Sequence, residues 1–244
     1  MARTNPITTA TSWWLVAALL LLVSCDSAAQ PPQPRQFAAT RAAEFDVGGA
    51  VTLLEASASQ GDASAPIPLL YLRGLLAARE AFREGGAPDA LAPVRGSITA
   101  LGALSKGQPG EAEIARLVLQ AAAAAAQSER DEMRLYIESA TQMEVVQRAA
   151  GQRGAPLVSA AEVAGDLWLQ VSRYEDARAA YTAAAEHVGF TPRILSGLAR
   201  AARRLSDMAA ACAAYQRLVD AWGARPAAPA EIVEARAYLS GCTP

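Results

Sequence analysis

Side chains that usually do chemistry are scarce in this chain of 244 residues, and their spacing limits what they can do. There is one histidine, His187, so no imidazole pair exists to hold a metal, and proton relays through histidine have no second member. Placed near an expected helix end, His187 reads as a surface or capping residue. The three cysteines, Cys25, Cys212 and Cys242, are too few for a four-cysteine zinc site or a disulfide framework. Carboxylates pair as sequence neighbours, Asp131-Glu132 and Glu175-Asp176, where helices should begin, and there they complement the positive helix end. Gly48-Gly49, Gly85-Gly86 and the segment Gly107-Gln108-Pro109-Gly110 lack the lysine-serine and the preceding strand of a phosphate loop, and read as turns. The expectation is a chain that is no enzyme, with no metal and no non-covalent cofactor.

What remains is a group of arginines, Arg193, Arg200, Arg203 and Arg204, and two distal cysteines, which need a scaffold to position them. Alanine, the best helix former, makes up about a quarter of the chain, which rules out a mainly β architecture. The balance of 22 basic against 24 acidic residues argues against nucleic acid as a partner, since a phosphate-binding surface brings a clear basic excess. Apolar periodicity and start signals predict helices near 37–45, 48–59, 67–84, 88–105, 110–127, 129–150, 158–171, 174–188, 192–205, 207–222 and 229–240. Thr191-Pro192 and Pro109 mark helix starts, Ser128 with Asp131 and Ser172 with Glu175 have capping-box spacing, and Pro93 kinks or delays the fourth helix. The fold class is all-α. Residues 27–36, with prolines at 31, 32 and 34, read as a semi-extended tether. The alanine run 121–126 predicts a thin, tightly packed helix face.

At the amino end, Arg3 precedes an unbroken apolar run from Trp13 to Val23, too short for a spanning helix, which needs about 20 apolar residues. The order Leu22-Val23-Ser24-Cys25 resembles the lipobox of bacterial lipoprotein signal peptides. That resemblance implies a signal peptide over 1–24, a diacylglycerol thioether on Cys25, and an acylated new amino terminus. One chain anchors marginally and two or more anchor stably, at roughly 0.8 kcal/mol per buried methylene. The expected location is the bacterial cell envelope, facing the periplasm, with Asp26 leaving the choice of membrane open. Residues 25–36 then hold the lipidated cysteine and the tether.

An offset of 34 residues aligns Ala177, Tyr181 and Ala184 with Ala211, Tyr215 and Leu218, and Ala164-Gly165 with Leu198-Ala199. The order Ala164-Gly165, Trp168, Tyr174, Ala177, Tyr181, Ala184 and a later Pro192 resembles the tetratricopeptide repeat, in which small residues let paired helices approach and aromatics fill the gaps between hairpins. The resemblance covers 158–222 as two repeats. It implies an α-solenoid, with degenerate hairpins over 37–157 and a capping helix and tail over 223–244. Burial of Trp168, Tyr181, Tyr215 and Trp222 is expected to hold the repeats together.

Cys212 and Cys242 lie on arms of similar length either side of a turn and could meet in an exported protein; the alternative is two free thiols. In proteins with this motif the first helices line a concave face. Its usual positions fall on Arg193, Ser196, Arg200, Arg203 and Arg204 in the second copy and on Ser159, Glu162, Asp166, Leu169 and Gln170 in the first. Such a basic rung suits a partner's acidic segment, or is a solvated face with Arg200 paired to Asp166. The lysine and asparagine of the family's carboxylate clamp are absent. The functional expectation is a non-catalytic scaffold or adaptor that docks another envelope protein or peptide. The alternative is an envelope ligand-binding protein with an apolar pocket among the helices of 67–150.

Overall fold

Helices account for nearly all of the regular structure in this alanine-rich chain. The structure, a computed structural model, describes residues 34–106, 110–151, 156–224 and 228–242. Among these are α1 (Pro34–Ala43), α2 (Val47–Ser59), α3 (Pro66–Arg83), α4 (Ala92–Ser105), α5 (Glu111–Ala126) and α6 (Arg130–Ala149). They continue with α7 (Ala160–Gln170), α8 (Tyr174–Val188), α9 (Pro192–Arg204), α10 (Met208–Trp222) and α11 (Ala230–Leu239). No strand occurs among the described residues. The lipobox and Cys25 lie outside them, as do the helix start at Pro109 and most of the 107–110 segment.

Each helix packs on the next, and α3, α5, α7 and α9 also meet one another at intervals of two. Two helices joined by a turn of a few residues and packed along their length must run antiparallel. Alanine makes the second kind of contact possible. Helix α5 touches α3, α4, α6 and α7, and five of the six alanines 121–126 are buried. On its other side Gly74 of α3 lies so close that a methyl group there would sit 2.3 Å from Leu119.

A local signature recurs at the ends of α1, α3, α5, α7 and α9. Each stops at a residue in the left-handed region: Phe45 at φ 70°, Gly85 at 72°, Ser128 at 63°, Ser172 at 62° and Ser206 at 60°. The next amide then donates back to the carbonyl five residues earlier, as in Asp46 to Arg41, Gly86 to Ala81, Glu129 to Ala124, Arg173 to Trp168 and Asp207 to Ala202. These bonds satisfy helix-end carbonyls that would otherwise lack partners.

This corrects the capping-box assignment. Ser128 and Ser172 terminate the preceding helix, and the N-caps are Glu129 and Arg173, neither with a side-chain cap bond. The predicted cap at Thr191 does form, accepting from the Ile194 amide at 3.2 Å. Residues 34–36 belong to α1 and not to the tether, because proline at the first helical position loses no hydrogen bond. Pro93 sits in the first turn of α4, so that helix starts at Ala92 and not at 88. Gly48 and Gly49 are helical, in the first turn of α2 under the Asp46 cap, and so do not form the expected turn.

In the region of the repeat, the Tyr181 ring of α8 lies between two glycines. A methyl group on Gly165 of α7 would fall 2.6 Å from it, and one on Gly197 of α9 would fall 2.2 Å away. Tyr181, Ala177, Ala211 and Tyr215 are fully or almost fully buried, Trp168 is buried, and Tyr174 is half-buried. Full burial of an aromatic contributes roughly 2 to 3 kcal/mol. Trp222 is only half-buried, against the smaller C-terminal core of Leu195, Ala199, Tyr215, Leu218, Ile232 and Ala235. Cys212 and Cys242 are joined by a disulfide with Cα atoms 6.2 Å apart, fixing the end of α11 to the start of α10.

Candidate functional site

The first turn of α7 is buried, and its amide groups need acceptors. Ser159 caps it, accepting from the Glu162 amide at 3.1 Å, and the Glu144 carboxylate of α6 accepts from Ala160 N at 2.7 Å. Tyr71 of α3 donates to the Val158 carbonyl at 2.9 Å, and burial, followed by the nearby Glu144 and Glu162 carboxylates, holds its hydroxyl far above the usual range. A carboxylate at a helix start also meets the positive dipole end.

From that turn Glu162 and Asp166, one helical turn apart, face α9. Pro192 opens α9, which places Arg193 in its first turn, opposite both acids. Arg193 Nε donates to Glu162 Oε1 at 2.6 Å and Nη2 to Asp166 Oδ2 at 2.5 Å, while Tyr181 donates to Asp166 Oδ1 at 2.5 Å. Burial pushes the Glu162 carboxyl above its ordinary value, and the Arg193 charge pulls it only part of the way back. For Arg193 burial alone would lower the value, but Asp166 and Glu162 outweigh it, so the guanidinium stays charged. The Tyr181 hydroxyl is raised by burial and then by Asp166.

A second charged group sits two turns further along α9. Arg200 donates to Glu234 of α11 through Nη2 at 2.5 Å and Nε at 3.1 Å, Tyr215 donates to the other oxygen at 2.8 Å, and Arg203 lies 3.5 Å away. Burial would raise the Glu234 carboxyl, but the hydrogen bonds from Arg200 and Tyr215 hold it below its usual value. Arg200 does not pair with Asp166 as one reading of the sequence had it: Asp166 is taken by Arg193, and the cap helix brings Glu234 to Arg200.

These groups line a cavity of about 470 Å³. Arg193, Ser196, Arg200, Arg203 and Arg204 from α9, Asp166 from α7 and Glu231 from α11 form one wall, and Leu75, Leu76 and Arg79 from α3 with Phe45 and Val47 form the other. Of the expected groove residues, Ser159 and Glu162 do not line it: Ser159 is buried as the cap of α7, and Glu162 is buried against Arg193. Ser196 is 1% exposed, and its Oγ has no hydrogen-bond partner among the described residues. Arg204 lies 5.9 Å from the Tyr174 ring centroid and Arg203 5.9 Å from that of Tyr238, at the outer edge of cation–π contact.

Sequence reasoning missed Phe45, Arg79 and Glu234. Glu231, Glu234 and Tyr238 share one face of α11 at helical spacing, a pattern that points to the acid opposite the arginines. His187 is exposed at the end of α8, away from the cavity lining. No cluster of three metal-ligating side chains occurs among the described residues, and no helix there is long and apolar enough to cross a membrane. The arrangement can hold planar oxygen groups by guanidinium forks. In comparisons with known proteins, no family model matches the chain, and none of the curated proteins or solved structures does.

Proposed function

We propose that this chain is a lipid-anchored protein of the bacterial cell envelope whose folded part is an α-solenoid of tetratricopeptide-like hairpins, and that it acts as a non-catalytic scaffold docking another envelope protein. The observation that carries this reading is the groove lined by α3, α7 and α9, where the arginines of α9 face Phe45, Val47, Leu75 and Leu76 with Arg79 among them. The solenoid is supported by the left-handed turn that closes α1, α3, α5, α7 and α9, by contacts between helices two apart, and by Tyr181 seated between Gly165 and Gly197. The anchor rests on the apolar run and Leu22-Val23-Ser24-Cys25. With acyl chains on the thiol and the new amine, Cys25 supplies the second lipid signal that stable anchoring needs.

The reading of a ligand-binding protein with a pocket in the N-terminal helices draws on Phe45, Val47, Leu75 and Leu76, which line part of the cavity. That space continues onto the arginines of α9, which suits a peptide carrying charge better than a wholly apolar ligand.

The test is recovery of the full-length protein from native membranes by detergent solubilisation. Cys25→Ser is expected to leave the membrane fraction. The paired change Arg203→Glu and Arg204→Glu, both at exposed positions, is expected to abolish co-purification of a partner while the protein stays folded. Equal recovery of that partner with and without the charge reversal overturns the docking role.

A further inference from the structure

The cavity has two unlike sides. Contacts run from α3 through α5 and α7 to α9, so the α3 wall and the α9 wall stand on opposite sides of the groove floor. On the α9 side, Arg204 has no carboxylate partner, and Arg203 has only the 3.5 Å approach to a Glu234 already engaged by Arg200 and Tyr215. Glu231 is the one groove acid on that wall outside these pairs. On the α3 side, Phe45 is held at φ 70°, a conformation that costs a bulky residue roughly 1 to 2 kcal/mol. Glycine holds the equivalent turn position after α3 and serine after α5, α7 and α9, so an aromatic is not needed to make the turn. Strain of this kind persists where the side chain has a use. Leu76 beside it is 38% exposed. On the α9 wall Ser196 has a buried hydroxyl without a hydrogen-bond partner among the described residues.

We infer that the groove takes one peptide segment of a partner protein, with a bulky apolar side chain against Phe45 and Leu76 and a carboxylate on Arg203 and Arg204. This rests on the docking role proposed above and names the chemistry of what docks. Charge complementarity selects an acidic segment, since the open cations outnumber the open acid. The apolar side chains of the α3 side, which also carries Arg79, select against a plain acidic run, which would leave Leu76 and Phe45 wet.

The test uses the detergent-solubilised full-length protein and fluorescein-labelled synthetic peptides: a leucine pair followed by glutamates, the same peptide with glutamines, and a leucine-free glutamate run. Anisotropy is expected to show the first binding about tenfold or more tighter than either control, a gap of roughly 1.4 kcal/mol or more. Arg203→Glu with Arg204→Glu should remove that advantage. Phe45→Gly is the variant that separates function from folding: it should weaken binding several-fold with no fall in unfolding temperature, because it relieves backbone strain. Equal binding of the glutamine peptide overturns the acidic requirement, and equal binding of the glutamate run overturns the apolar seat. If no probe binds while the partner is still captured in a charge-dependent way, this inference fails and the docking role stands; if both fail, both readings fall. A dimer in light scattering that Phe45→Gly or Arg204→Glu dissolves would show that the groove is filled by a second copy, and would overturn the inference.

Discussion

Gly197→Ala sets two effects of opposite sign against each other. Alanine in a helix interior is favoured over glycine by about 1 kcal/mol. At this position, however, the added methyl group would lie 2.2 Å from Cζ of Tyr181 and 2.5 Å from both Cε atoms, where ordinary contact begins at 3.4 Å. The ring has little room to step aside, because on its other face Gly165 leaves less than a methyl group's space, a Cβ there falling 2.6 Å from it, and its hydroxyl is bonded to Asp166 at 2.5 Å. Overpacking of a filled core costs about 1 to 3 kcal/mol, and a ring pinned on both sides puts this case in the upper half, so the net loss is about 1 to 2 kcal/mol. Urea unfolding followed by circular dichroism measures it. In a Tyr181→Leu background the clashing Cζ and Cε atoms are gone, and the same Gly197→Ala change should then stabilise by up to about 1 kcal/mol, a coupling of about 2 kcal/mol across the cycle. Stabilisation by Gly197→Ala in the wild-type protein, or no change of sign in the Tyr181→Leu background, would refute the packing of α8 between α7 and α9.

Arg193→Met leaves Glu162 buried beside Asp166 without its countercharge and should destabilise by about 3 to 5 kcal/mol, read from the urea midpoint at neutral pH. The Cys212–Cys242 bond closes a loop with a sequence separation of 30, for which the chain-entropy model gives about 3.6 kcal/mol. Cys212→Ala with Cys242→Ala should lower the denaturant midpoint accordingly, and reduction should move only the wild type. Glu234 is held below its ordinary value of 4.5, so its contribution is present above that pH and is lost as the pH falls through its folded value. Glu234→Gln should therefore flatten the acid side of the stability profile, a change visible in thermal unfolding across a pH series.

Helix number and most boundaries were legible because alanine, leucine and arginine alternate with a helical period and the turns are short. The errors fell where backbone geometry overrode residue type. Serine at 128 and 172 looked like an N-cap three residues before an acid, yet each occupies the left-handed position that ends the previous helix, where glycine is the usual signal. Pro34 looked like part of a tether, and it opens α1. At the site, the arginine face of α9 could be read from its spacing. Glu234 could not be assigned to Arg200 without the path of the cap helix, and Phe45 sits in a turn where no periodicity applies. Ion-pair choice was illegible for a physical reason: sequence spacing alone does not decide between Arg193 and Arg200 for Asp166, and the first-turn placement of Arg193 by Pro192 decides the outcome.

The docking role is tested most directly by site-specific photocrosslinking in the native envelope, with a photoreactive residue replacing Gln170 in the groove or exposed Gln216 on α10 outside its lining. The account predicts one protein adduct from position 170, absent from position 216 and lost when Arg203 and Arg204 are reversed to glutamate. An adduct from position 216 alone, or one from position 170 that survives the charge reversal, would contradict it.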